Sequence, residues 1–275
     1  MEEIVPAPKI PSETSQAAHV LYNLQYIYLR IGDQLETLFT HIDVQKLDPG
    51  ARMDSMSCFR LALVSAFQLA ESMSDEMAAE ATLRRMDWKY ALYLPVHHPG
   101  ISTQALCEFR QNLFSAPKAL AEYGILLGEL GKIGLFSHAP QPEVALTSLC
   151  QLSRLQQLRQ AMKEALTLLV LEAPEWLLAN VSPHWYERYQ SSDQSRAGNM
   201  SRENINKEVI KLGKDIHHLL SAIKKGDSPN LLHLAETQRI EHLFSTNFEV
   251  IGNHVRWLQP ACENCACRQG GLYRN

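Results

Sequence analysis

The stretch MSDEMAAEATLRRMDWKYALYLPVHHPGISTQALCEFRQNL, residues 73–113, contains the features that decide the fold of this chain. Ser74 precedes two acidic residues, and a serine in that position is a typical helix N-cap, so it predicts a helix start. The segment LPVHHPG at 94–100 predicts a turn, after which Ser102 or Thr103 caps a second helix. The stretch therefore predicts two capped helices joined by a turn.

The helical pattern extends along most of the chain. Apolar residues recur at intervals of three and four between Ser12 and Ile42, which predicts one amphipathic helix that ends before the Asp-Pro-Gly break at 48–50. The other predicted helices are residues 53–73, one after Pro117, a long helix from Pro142, starts at Pro174 and Pro183, and residues 202–224 and 229–245. Gly252 and Asn253 lie between two β-prone runs and predict a hairpin. The predicted fold class is mainly α, a multi-helix bundle with a small β-hairpin near the C-terminus.

Breaks in this pattern divide the chain into five predicted segments. They are a flexible leader at 1–11, an N-terminal helical domain at 12–136, a long helix with a Trp-rich helical segment at 137–190, the polar linker SSDQSRAGNMS at 191–201, and a helical hairpin, β-hairpin and Cys-containing tail at 202–275.

Composition indicates a cytoplasmic protein without an overall basic charge. The formal net charge of the 275 residues is -4, so DNA contact would have to come from local patches. The N-terminus is acidic and interrupted by prolines, unlike a secretory signal. No uninterrupted apolar run reaches the length of about 18 residues that a membrane span needs. Three of the six cysteines are isolated on apolar faces, which fits a reducing compartment.

Several residues of the opening stretch carry a resemblance to a known family. They are Ser74-Asp75, Asp87-Trp88-Lys89-Tyr90-Ala91-Leu92, Leu94-Pro95, Pro99-Gly100, Leu106, Phe109-Arg110 and Leu113. Further matching segments are Leu152-Ser153-Arg154-Leu155, Ala173-Pro174-Glu175-Trp176-Leu177, Pro183-His184-Trp185-Tyr186-Glu187-Arg188-Tyr189 and Val255-Arg256-Trp257. Together they resemble bacterial insertion-sequence transposases of the InsH type, in which a helical N-terminal domain precedes a ribonuclease-H-like DDE catalytic domain. The resemblance covers the chain from about residue 53 onwards.

The resemblance also implies where a catalytic carboxylate would stand. In the family a strand-borne Asp supplies the first metal ligand, and two-metal phosphoryl transfer needs clustered acidic oxygens. The matching position here is Gln141, and its flanking prolines disfavour a central strand. Glu143, two residues on, is the alternative carboxylate. The chain ends at Asn275, about where the family's remaining catalytic segments begin, so we expect no catalytic residues and no strand-transfer activity from this chain.

Five residues are candidates for DNA binding: Arg84, Arg85, Lys89, Gln104 and Arg110. The cations among them are interleaved with aromatic residues, and lysine and arginine neutralise phosphates. An alternative interpretation is structural, because cations at a helix end suit the helix dipole and the aromatic residues have core-like spacing.

The segment TQALCEFRQNL at 103–113 is compatible with the recognition helix of a helix-turn-helix motif. Gln104, Glu108 and Arg110 would then contact base edges or phosphates. The alternative is an ordinary bundle helix with a polar exposed face, which the acidic Glu108 and the long preceding segment favour.

Cysteines near the C-terminus have a spacing that zinc could use. Cys262, Cys265 and Cys267 follow His254, but a second Cys-x-x-Cys pair is missing. A surface cysteine cluster without metal is the alternative, and we predict no metal and no cofactor.

The sequence leaves three hypotheses for function. The first is a transposase-derived protein that binds the DNA ends of its element or assembles with a second copy or a full-length transposase, with no membrane partner. The second is a truncated remnant or protein-interaction module without DNA affinity. The third is the N-terminal fragment of a frameshifted active transposase.

Overall fold

The structure, a computed structural model, describes residues 9–48, 50, 52–190, 202–225, 229–252 and 254–258. Within these ranges the chain is mainly α-helical and ends in a two-stranded antiparallel hairpin, which confirms the predicted fold class. The chain forms two compact units, and the division between them falls between Cys150 and Gln151, inside a long helix. The predicted linker, the Cys-containing tail and most of the leader lie outside the described residues.

Ten helices begin in the described part of the first unit. They are α1 (Ser12–Leu21), α2 (Ile27–Asp33), α3 (Leu35–His41), α4 (Val44–Leu47), α5 (Ser55–Glu71), α6 (Asp75–Arg84), α7 (Met86–Ala91), α8 (Thr103–Ser115), α9 (Pro117–Ile133) and α10 (Pro142–Glu172). The predicted caps are confirmed: the Ser74 hydroxyl accepts the Met77 N–H at 3.3 Å, and the Ser102 hydroxyl accepts the Ala105 N–H at 3.1 Å. Gly134 ends α9 with φ of 105°, a conformation that favours glycine.

The prediction of one helix from Ser12 to Ile42 was wrong, because this stretch forms three helices. The Asn23 side-chain oxygen accepts the Gln25 N–H at 2.9 Å, and the Asn23 carbonyl accepts the Tyr26 N–H at 3.0 Å. Such a local turn competes with helix continuation, and periodicity alone does not show it. The chain turns there, and a second break follows at Gln34, between α2 and α3.

The core of the first unit is built around α5 and α7. Phe59 and Phe67 on α5 are completely buried. Trp88 on α7 is also completely buried, and its ring lies 5.3 Å from that of Phe67 and 6.0 Å from that of Tyr28. Large aromatic rings in such contacts contribute much of the apolar burial of a small unit.

The second unit contains the remainder of α10 and the elements that follow it. These are α11 (Pro174–Asn180), α12 (His184–Gln190), α13 (Arg202–Lys225), a 3₁₀ helix (Pro229–His233), α14 (Ala235–Asn247), β1 (Phe248–Ile251) and β2 (His254–Trp257). The predicted helix at 229–245 is therefore two elements. The hairpin forms as predicted, with Phe248 opposite Trp257 and Gly252 at φ of 59° in the turn. A search of the described helices for a candidate membrane span found none with the required length and apolar character.

Arg154 joins α10 to the hairpin within the second unit. Its Nε donates to the Asn247 side-chain oxygen at 2.8 Å, and one terminal nitrogen donates to the Leu258 carbonyl at 3.0 Å. The guanidinium also lies 5.1 Å from the centre of the Trp257 ring. A buried arginine with these contacts fixes the hairpin position relative to α10.

Candidate nucleic-acid interface

Arg110, one of the predicted DNA-binding residues, is buried inside the first unit with 1% of its surface exposed. Its two terminal nitrogens donate to the two carboxylate oxygens of Asp75, which also accepts from Gln68 at 2.9 Å. Burial alone would lower the pKa of Arg110, but attraction to Asp75 outweighs it and raises the pKa. The prediction of DNA contact by Arg110 was wrong, because a guanidinium enclosed with its counter-ion has no surface for a phosphate.

Lys89 is also buried, so the same correction applies. Its Nζ donates to the carbonyl oxygen of Val96, in the turn that follows α7. Burial lowers the pKa of this lysine. The interleaved aromatic residues Trp88, Tyr90 and Phe109 are buried as well, which supports their interpretation as packing residues.

Arg85 is partly exposed but occupied by two carboxylates. It lies between α6 and α7, where its Nε and one terminal nitrogen donate to Asp87 at 3.1 and 2.6 Å and the other terminal nitrogen donates to Glu71. Its guanidinium lies 5.0 Å from the centre of the Trp88 ring and 5.4 Å from that of Tyr28. Two acids surround one cation here, so this cluster would repel a phosphate.

Tyrosine hydroxyls complete this acidic cluster. Tyr26 donates to Asp87 at 3.1 Å, and Tyr28 donates to Glu71. Burial, with the nearby negative charge of Asp87, raises the pKa of Tyr26 to about 12. Burial and Glu71 raise the pKa of Tyr28 as well. Both hydroxyls are therefore donors at neutral pH, which suits a structural network.

Arg84 and Gln104 are the predicted residues that remain exposed. The Arg84 side chain is 73% exposed, and its Nε lies 3.1 Å from the carboxylate of Glu80 one turn earlier. Gln104 donates to Glu108 at 2.7 Å on the exposed face of α8. Each of these two residues contacts a glutamate. The five predicted residues therefore do not form one basic face.

The helix-turn-helix interpretation of α8 is also not supported by its geometry. The segment between α7 and α8 runs from Leu92 to Ser102, longer than the short turn of that motif. Arg110 points into the core, and the exposed face offers Gln104 and Glu108. In the part of the chain that the structure describes, α8 is an ordinary bundle helix with a polar face.

The position that matches the family's first catalytic carboxylate lies at a helix start. The Gln141 carbonyl accepts the Ala145 N–H at 2.9 Å, so Gln141 is the residue before the first turn of α10. Glu143 is exposed in that first turn, where an acid stabilises the helix dipole. Among the described residues no group of three or more His, Cys, Asp and Glu side chains is placed to hold a metal ion.

The proposed zinc ligands are described only in part. His254 begins β2 and is exposed. Cys262, Cys265 and Cys267 lie outside the described residues, so zinc binding at this cluster stays a hypothesis.

A basic surface that the sequence analysis did not identify lies on α13. Lys211, Lys214 and Lys225 are exposed on this helix. At about 100° per residue they point within a sector of about 60°. The opposite side of α13 is buried, and its apolar residues are Ile205, Val209, Leu212, Ile216, Leu219, Leu220 and Ile223. We call Lys211, Lys214 and Lys225 the lysine face.

The acidic residues between Asn204 and Lys225 are held by arginines of other helices. Glu208 accepts from Arg159 of α10 at 2.9 Å. Asp215 pairs with Arg188 of α12 and accepts from the Tyr189 hydroxyl at 2.6 Å. The lysine face therefore keeps its charge, and none of its three lysines forms an ion pair with another described residue.

A sequence signal for the lysine face does exist. Lys211, Lys214 and Lys225 are three and eleven residues apart, so they follow the same helical period as the apolar residues but in antiphase to them. The signal is hidden by Glu208 and Asp215, because the arginines that neutralise these acids come from other helices and cannot be identified from the sequence.

Comparison of the chain with protein-family models, with curated proteins and with solved structures found no match.

Proposed function

We propose that this chain is a transposase-derived protein of an insertion sequence that acts in the cytoplasm by binding DNA and assembling at the ends of its element, without cleaving strands itself. The observation that carries the proposal is that residues which bear the resemblance to InsH-type transposases, though scattered along the sequence, meet in space within each unit.

In the first unit, these residues tie α6, α7 and α8 together. Asp75 pairs with Arg110 of the same resemblance, 35 residues further along the chain. Lys89 donates to the carbonyl oxygen of Val96, and thereby holds the turn that contains the Leu-Pro and Pro-Gly pairs. Gly100 has φ of 87°, and a Cβ on it would lie 3.3 Å from the Ala79 carbonyl of α6. These contacts make the residues of the resemblance structural parts of the first unit.

Two further segments of the resemblance meet in the second unit. Arg154 of the Leu-Ser-Arg-Leu segment lies over the ring of Trp257 in the Val-Arg-Trp segment, 103 positions later, and donates to Leu258 beyond it. Arg188 and Tyr189 of the Trp-rich segment both contact Asp215 of α13, a residue outside the quoted segments, and so attach this segment to the rest of the second unit. The residues that bear the resemblance are thus structural parts of both units, and DNA contact requires a different, exposed surface.

Equilibrium binding to the element's own ends tests the proposal. Fluorescence anisotropy of the full chain with a labelled duplex that contains the terminal repeats should show binding that weakens as salt rises. A duplex of the same composition in shuffled order measures the sequence-independent part. Absence of binding to both duplexes at low salt would refute the proposed function.

Protein assembly without DNA contact is the second candidate function, and exposed leucines favour it. Leu171 at the end of α10 and Leu178 on α11 are 73% and 82% exposed, and α11 has no buried residue. Association with a second copy would bury these large apolar side chains, which are otherwise in contact with solvent. Sedimentation velocity over a range of concentrations would show a second copy binding, and Leu178→Glu should weaken that association.

A further inference from the structure

The lysine face carries positive charge that the helix itself does not require. Lys211 and Lys214 lie in the middle of α13, whereas the helix dipole favours cations only in the last turn. On a solvated helix, lysines usually alternate with acids three or four residues away. Here the two acids of residues 204–225 pair with Arg159 and Arg188 instead.

The chemistry of this surface excludes two kinds of partner. A protein interface is anchored by buried aromatic or apolar side chains, yet the exposed large apolar residue on α13 among those described is Ile210, which is only 38% exposed. Single-stranded nucleic acid binds by stacking on aromatic rings, and residues 202–225 include no Phe, Tyr or Trp. A regular array of anionic groups remains as the complementary partner.

The spacing of the lysines suits a duplex backbone. From Lys211 to Lys225 the helix rises about 21 Å, and Lys214 lies about 4.5 Å along the axis from Lys211. A DNA duplex presents one phosphate per strand about every 3.4 Å along its axis. Flexible lysine side chains can therefore each reach a phosphate without a fixed register.

We propose that the lysine face of α13 binds the sugar-phosphate backbone of duplex DNA. This inference rests on the proposed function and names its contact surface, which lies in the second unit and not on the residues around α7. Contacts to phosphates carry no sequence information, so this surface supplies affinity while specificity for element ends comes from elsewhere.

The salt dependence of binding tests the inference directly. The full chain and the variant Lys211→Gln/Lys214→Gln/Lys225→Gln are titrated with a labelled duplex of arbitrary sequence at several salt concentrations. Each lost phosphate contact lowers the slope of log affinity against log salt by about 0.9, so the slope should fall by 2 to 3 in magnitude. Affinity near 0.1 M salt should fall by about two orders of magnitude.

Two further variants distinguish the loss of charge on α13 from the loss of the same charge elsewhere in the chain. Lys9→Gln/Lys118→Gln/Lys132→Gln removes the same charge from exposed positions of the first unit and should leave the slope unchanged. Replacement of the lysine face by arginine keeps the charge and should retain the slope of the original chain. Glutamine is a good helix former, so circular dichroism and the thermal midpoint should not change.

The outcomes distinguish the inference from the proposed function. Failure of the full chain to bind any duplex would refute both the inference and the proposed function. A chain that binds DNA with the same slope after the α13 substitutions refutes the inference and leaves the function standing. An equal decrease of the slope in both glutamine variants would also refute the inference, because the net charge of the chain would then explain the binding. Tighter binding of a single strand or of polyglutamate than of the duplex would refute the assignment to duplex DNA.

Discussion

Asp75 and Arg110 form an ion pair that is almost completely removed from solvent. Desolvation of two charges is unfavourable, and the pair is tolerated because both terminal guanidinium nitrogens and Gln68 donate to the carboxylate. Removal of one partner leaves the other as a buried charge without this counter-ion. At this residue the sequence shows an arginine on a helix, and only the packing of α8 against α6 shows that it faces inward.

Arg110→Leu should therefore destabilise the first unit strongly. We expect the free energy of unfolding to fall by about 3–5 kcal/mol, because Asp75 loses its counter-ion inside the core. Urea titration followed by circular dichroism measures the change. Arg84→Leu, at an exposed position, should change stability by less than about 0.5 kcal/mol. Similar effects of the two variants would show that Arg110 is not buried with Asp75.

Tyr26 gives a prediction for alkaline pH. Its phenol has an ordinary pKa of 10.0 when unfolded and a pKa of about 12 when folded, where burial and Asp87 disfavour the phenolate. Between these values the folded state holds more protons than the unfolded state, so stability should fall as pH rises above 10. Tyr26→Phe should make this fall shallower in urea titrations from neutral to alkaline pH. An equally steep fall in the variant would contradict the role of Tyr26.

Helix boundaries differ in how well the sequence predicts them. Ser74 and Ser102 were predicted correctly because an N-cap is a local interaction between a side chain and the next turn. The break after α1 was missed because the Asn23 turn competes with a continuous apolar pattern. The apolar periodicity predicts that a helix forms. It does not predict where the helix is interrupted, because a break depends on a local side-chain interaction, such as the Asn23 turn, that is compatible with packing.

Packing of α2 against α7 depends on Gly32. A Cβ at this position would lie 2.5 Å from Cδ1 of Tyr90 and 3.2 Å from the Tyr90 backbone oxygen. Tyr90 and Tyr93 also donate to Asp33 at 2.6 Å and to the Gly32 carbonyl at 2.9 Å, so α7 cannot move away without losing these bonds. The absence of a side chain thus sets the distance between the two helices.

Gly32→Ala should lower stability although alanine favours helices. Overlap with Tyr90 should cost about 1–3 kcal/mol, more than the gain in helix propensity of about 1 kcal/mol. Gly128→Ala on α9 is the matched control in the same unit, because a Cβ there meets nothing within 4 Å. That control should raise stability by about 0.5–1 kcal/mol. Equal effects in urea titrations would contradict the close approach of α2 and α7.

At the scale of the whole molecule, the candidate interface was the least predictable feature. Arg84, Arg85, Lys89 and Arg110 look like a basic patch in sequence, but tertiary packing buries Lys89 and Arg110 and surrounds Arg85 with acids. On α13 the reverse occurs, because Arg159 and Arg188 of other helices neutralise Glu208 and Asp215 next to the lysines. Net charge and local motifs do not contain this information, which depends on which helices meet.

The absence of strand cleavage is the remaining prediction for the whole chain. A labelled duplex of element ends, incubated with the full chain and Mg²⁺ or Mn²⁺, should stay intact on a denaturing gel. Two-metal cleavage needs convergent carboxylates, and the described residues include no such group. Gln141→Asp should not create activity, because this residue precedes the first turn of α10 and is exposed, so one added carboxylate would face solvent. Cleavage that requires a divalent ion and disappears in Glu143→Ala would instead identify the exposed acid of that turn as a metal ligand and refute the assignment of a purely structural role to it.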